Sequence, residues 1–146
     1  MGRLLAIDYG RKRCGIAVTD ILHISANGLP TVRSCDLIQF LKDYTSREPV
    51  EAFIVGDPKD MHGNPSESAR FLTPFLNRLK KEIPEIPVIM FDERFTSSIA
   101  HQEMISAGFK KKDREHKGKA DEIAAVLILT SYLESRQNSN FNSTPV

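Results

Sequence analysis

Tryptophan is absent from this 146-residue chain, and cysteine and histidine are scarce, at two and four residues. Cys14 and Cys35 form no Cys-x-x-Cys pair and no disulfide framework, so both are expected as reduced thiols. The four histidines, His23, His62, His101 and His116, lack the mutual spacing of a zinc site. Long hydrophobic runs are missing as well. The longest, residues 123–129, falls far short of the ~20 residues that cross a bilayer. The stretch Leu4–Ile7 is too short for a signal-peptide core. Nor does one sign of charge dominate. Twenty Lys+Arg against 19 Asp+Glu leave +1, so no global field draws the chain to nucleic acid or to a membrane surface. No P-loop pattern occurs. These absences point to a cytoplasmic protein whose electrostatic preferences come from where its charges sit.

What is present suits one compact domain. With 40% apolar residues, a chain of this size buries roughly 68–70% of its unfolded surface, too small for two lobes closing on a nucleotide. The expected domain spans residues 1–136, and the Asn- and Ser-rich stretch 137–146 is expected to be a disordered tail. Leu4–Asp8 and Gly15–Asp20 flank a polar tip with a glycine on each side, which reads as a hairpin. Asn27–Val32 is a third strand, and Pro30 puts it at an edge. Leu37, Ile38, Phe40, Leu41 and Tyr44 recur at helical spacing behind Ser34 or Asp36 as N-cap. Val50–Val55 is a strand closed by Gly56-Asp57-Pro58. A helix capped by Ser66 then runs to about Glu82, with Pro74 predicting a kink or a broken first turn. Its apolar face would be Ala69, Phe71, Leu72, Phe75, Leu76 and Leu79. Pro87–Phe91 is the last strand. Helices follow from Thr96 or Ser97 to about Ala107 and over Ala120–Ser135, separated by a charged loop at 108–118. Right-handed crossovers make the later strands parallel to the first, so the fold class is α/β with a five-stranded mixed sheet in the order 3-2-1-4-5.

Three acidic positions stand where chemistry can use them. Asp8 ends the first strand, and Asp92 and Glu93 end the last. Parallel strands bring those ends to one edge, where open α/β sheets place ligands. Side chains alternate along a strand, so Asp92 and Glu93 cannot both point the same way, and spacing does not choose between them. Asp121 precedes a nearly all-apolar helical stretch and shares its inward face with Ala124, Ala125 and Ile128. Buried carboxylates meeting there require a cation. Hard oxygen donors favour Mg²⁺ or Mn²⁺ over zinc. Two such ions would stabilise the attacking and leaving oxygens of a phosphodiester.

The stretch Ala6-Ile7-Asp8-Tyr9-Gly10-x-x-Arg13-x-Gly15-Ile16-Ala17-Val18-x-Asp20 resembles the opening motif of the YqgF/RuvX family of pre-16S rRNA nucleases. Asp92-Glu93-Arg94-Phe95-Thr96-Ser97 is similar to that family's second signature. Lys117-Gly118-Lys119-Ala120-Asp121-x-Ile123-Ala124-Ala125, with Ile128-Leu129-x-x-Tyr132-Leu133, is similar to its third. The resemblance implies an RNase H-like, Holliday-resolvase-type fold. It also implies that Asp8, Glu93 and Asp121 are the metal-binding, catalytic acids, choosing Glu93 over Asp92. Arg13 and Arg94 match basic positions of the family that would meet phosphate. The family's usual Gly-Leu-Pro is Gly56-Asp57-Pro58 here, so Asp57 is a candidate fourth carboxylate near the metals, its other reading being a turn residue before Pro58.

Charge placement agrees with an anionic polymer as partner. Residues 110–119 carry six basic and two acidic side chains, a local +4, and residues 1–13 carry four and one, a local +3. These clusters flank the acids. Arg11, Lys12, Arg13, Lys117 and Lys119 from these clusters, with Arg94 and Thr96 from the stretch that resembles the second signature, are the candidate substrate-binding residues. The expected function is metal-dependent hydrolysis of structured RNA, by family likeness 5′ maturation of pre-16S rRNA, by a monomer or weak homodimer. Cleavage of branched DNA uses the same chemistry but needs two sites held in a dimer. A non-catalytic nucleic-acid-binding factor is the third reading, and would bind without divalent metal.

Overall fold

The computed structural model describes residues 2–58, 62, 69–96 and 117–143, with side chains of the last segment described from 123 to 136. Five strands, β1 (Arg3–Asp8), β2 (Arg13–Thr19), β3 (Ala26–Arg33), β4 (Val50–Asp57) and β5 (Val88–Asp92), form one sheet in the order β3-β2-β1-β4-β5. The hairpin strands β1–β2 and β2–β3 pair antiparallel, and β1–β4 and β4–β5 pair parallel. This is the mixed topology expected from the sequence. Helices α1 (Leu37–Arg47) and α2 (Ala69–Glu82) cover one face, and α3 (Lys117–Ser143) covers the other.

The continuously apolar β1 sequence follows from its central place, since both of its faces are buried. Leu5 and Ile7 join Ile16, Phe53 and Val55 under α1 and α2, while Leu4 and Ala6 join Ala17, Ala52 and Ile54 under α3. Alanines on the second face let the fully buried Ala125 bring α3 close to the strands. Thr19 is buried too, and its hydroxyl accepts the Leu4 N–H at 2.8 Å. The β1–β2 turn needs Gly10, because a Cβ there would fall on the carbonyl oxygen of Arg13.

Several local expectations differ from the structure. A 3-10 turn at Ser34–Asp36 leads into α1, and no side chain caps either element. The Ser34 hydroxyl instead donates to Gly10 O at 2.5 Å, tying the hairpin turn to the end of β3. α2 runs unbroken through Pro74, which sits past the first turn. Phe71, expected on the apolar face, is exposed. Strand β4 continues to Asp57, and α3 starts at Lys117 and reaches Ser143. Residues 117–118 are therefore helix rather than loop. The Ser66 cap and the helix expected from Thr96 or Ser97 to Ala107 fall at or beyond the limits of the described residues.

Candidate active site

Register sets the site. Ile7 pairs with Val55, so Asp8 follows beside Gly56 at the C-terminal edge, and Gly56 in turn pairs with Phe91. Alternation turns Asp8 and Gly56 to the α3 face, with Ala6, Ile54 and Phe91. A Cβ on Gly56 would stand 3.0 Å from Glu93 Oε1 and 2.7 Å from Ile128 Cδ1. Glycine therefore leaves the room that the Glu93 carboxylate occupies against the sheet. No reading of the sequence had marked this residue, because a glycine before Asp-Pro looks like an ordinary turn.

Glu93 is half-buried and hydrogen-bonded to Asp8. Burial pushes its carboxyl above the ordinary value. The bond to Asp8 works the other way, and the charges of Asp57 and Asp92 add to the rise. Two carboxyl groups in such contact need a shared proton or a cation between them. Their all-oxygen donor chemistry fits a hard divalent ion. Among the described residues no three His, Cys, Asp or Glu side chains converge to hold an ion, so the described contribution is the pair Asp8 and Glu93.

The choice between Asp92 and Glu93 has a physical basis in the structure. Asp92 caps the 3-10 turn Glu93–Phe95, accepting Arg94 N–H at 3.0 Å, and grips the Arg94 guanidinium at 2.7–3.1 Å. Asp92 is thus engaged with Arg94, and the turn delivers Glu93 to Asp8. Arg94, expected to bind substrate, is held by this fork. Thr96 donates its hydroxyl to Glu93 O at 3.3 Å and so braces the same turn. Asp57 reaches Glu93 through its charge, but alternation turns it to the α1/α2 face, and it does not complete a metal-holding trio among the described side chains.

The direction of α3 fixes where its first turns lie. Arg136 Nη1 lies 3.5 Å from His23 Nδ1, and His23 Nε2 lies 2.6 Å from Gly2 O at the start of β1. Ile128 reaches Gly56 at the far end of β4. The helix therefore runs antiparallel to β1 and β4, and its first turns, with positions 117, 119 and 121, lie toward the edge that carries Asp8 and Glu93. The side chains of Lys117, Lys119 and Asp121 lie outside the described ones. At the hairpin tip Arg11 and Lys12 are exposed and Arg13 is half-buried, and the Arg11 guanidinium stacks 4.4 Å from the Phe71 ring centre.

Sheet order and layering define an RNase H-like domain of the resolvase type. Thermus thermophilus RuvC, solved with a Holliday junction substrate, superimposes with a TM-score of 0.62 at 16% identity, over 95% of this chain and 98% of that one. Residues 2–135 match the family model described as "RuvX: Holliday junction resolvase". A Phocaeicola vulgatus protein named "Putative pre-16S rRNA nuclease" is 56% identical over 94% of this chain and 99% of its own length. A Flavobacterium johnsoniae protein of the same name is 50% identical over 94% and 99%. The chain belongs to the RuvX family, and its class is that of nucleases, hydrolases of phosphodiester bonds.

Proposed function

We propose that this chain is a metal-dependent nuclease of structured RNA that acts in the 5′ maturation of pre-16S rRNA in the cytoplasm. The observation that carries the reading is the hydrogen-bonded pair Asp8 and Glu93, built where the central strand ends and where Gly56 leaves space for it. The names of the relatives point to the RNA. Asp8, Glu93 and Asp121 would hold Mg²⁺ or Mn²⁺. Bound there, such ions supply charge stabilisation for the oxygens of the phosphodiester being cut.

The protein's own groups supply the positioning. Asp8 is fixed by the β1 ladder, and Glu93 by the braced 3-10 turn, so neither carboxylate needs to reorganise when substrate arrives. Ile128 packs close to Gly56, beside the Glu93 carboxylate. Arg11, Lys12 and Arg13 would offer positive charge to the phosphates on either side of the cut, and Arg94, oriented by Asp92, would add a guanidinium at the end of β5.

The test is to incubate the protein and its Asp8→Asn variant with precursor rRNA and with four-way DNA junctions, with and without Mn²⁺. Metal-dependent cutting of the rRNA, lost in the variant, is expected. Cutting of junctions alone would transfer the reading to a branched-DNA resolvase, which the family description favours as the second possibility. Metal-free binding unchanged by Asp8→Asn, without cleavage, would mark a binding factor.

A further inference from the structure

A cleft of about 540 Å³ lies on the β3 side of the hairpin tip, lined by Arg11, Lys12, Arg13 and Arg33 together with Thr31 and Cys35. Among the described residues no acidic side chain lines it. Arg13 and Arg33 stand opposite each other across the β2–β3 ladder, which gathers two guanidinium groups at one register position. The backbone that carries the tip cations is also held in place. Ser34 N–H donates to Lys12 O at 3.0 Å and the Ser34 hydroxyl to Gly10 O, so the tip of one hairpin is lashed to the end of the next strand. Arg11 is fixed further by Phe71. A ligand thus meets a fixed tip backbone and one guanidinium already oriented by the fold.

Its position relates the cleft to the acid pair. Asp8 pairs with Gly15 on β2, and β3 is the next strand out, so the cleft's far wall stands two strand spacings, ~10 Å, from the strand bearing Asp8. We propose that the cleft is a second phosphate site, in which Arg33, acting with the tip cations, holds the phosphodiester backbone of the substrate strand away from the bond that is cut. The inference rests on the nuclease reading above and extends it. It assigns Arg33, which neither motif nor family likeness singles out, and gives the strand a path across β2 and β3.

Binding of fluorescein-labelled single-stranded RNA, and of DNA of the same sequence, is measured with the full-length protein over a range of salt without divalent metal. Arg33→Gln should reduce the slope of log affinity against log salt by about 0.7, one phosphate contact on a single strand. Arg47→Gln, exposed at the end of α1, should leave it unchanged. Equal slopes for the two variants would overturn the proposal. Cys35 is exposed and Cys14 buried, so maleimide labelling reports on the cleft wall. Protection by both strands supports a backbone site for either polymer, and protection by RNA alone assigns the strand as RNA. Equal protection by inorganic phosphate would overturn the assignment in favour of a small-anion site. Failure of the wild type to cut, with the slope difference intact, would sink the nuclease reading and leave the cleft standing. Normal cutting with no slope difference would do the reverse.

Discussion

At the scale of single residues, the site depends on an absent side chain. The Glu93 carboxylate rests where any Cβ on Gly56 would crowd it, and the other crowded group, Ile128 Cδ1, is the mobile end of a side chain. Gly56→Ala is therefore expected to displace Glu93 more than to unfold the protein. A displacement of this kind costs about 100-fold in turnover, with a melting temperature close to wild type; comparing kcat with a thermal melt separates the two effects. Asp20 offers a pH reading at the same scale. The Ser25 amide, with that of Ile24, holds its carboxyl below the ordinary 3.8. A lowered folded value means that its stabilisation is complete above 3.8 and vanishes as pH falls through the lower value. Asp20→Asn should accordingly flatten the acid limb of a plot of urea midpoint against pH.

At the scale of elements, α3 sets both stability and alignment. Ala125 is fully buried over a face built from Ala6, Ala17 and Ala52. Ala125→Leu should destabilise the protein by about 1–3 kcal/mol through overpacking. It should also lower activity in the fraction that stays folded, because lifting the helix moves Ile128 off Gly56 and loosens the seat of Glu93. Urea titration gives the first quantity, and turnover per folded molecule the second. The five strands were legible because apolar runs bounded by glycine and proline have few other solutions. The start of α3 was not. A run of charged residues reads as loop, yet the helix already starts at Lys117. Nor could alternation choose between Asp92 and Glu93, because the choice is made after the strand ends, by a 3-10 turn whose cap is Asp92 itself.

Across the whole molecule, the two faces of the sheet divide the labour. The α1/α2 face holds Phe53, Leu41, Phe75 and Leu79, remote in packing from the acid pair. Leu79→Ala should cost about 2–5 kcal/mol of stability while leaving kcat of the folded enzyme unchanged, the opposite signature to Gly56→Ala. The sheet order could be anticipated because crossover handedness leaves few topologies. The acid pair was legible only as two strand ends sharing an edge. Its closeness depends on register and on the space above Gly56, and neither is written in the spacing of charged residues.

Pro30, exposed on the outermost strand β3, has no amide hydrogen to offer. The open rim therefore lacks a rung that a visiting strand from another molecule would need, and growth of intermolecular ladders is interrupted there. Replacing Pro30 with valine would restore that rung, and thioflavin-positive polymer should then accumulate faster in concentrated solutions.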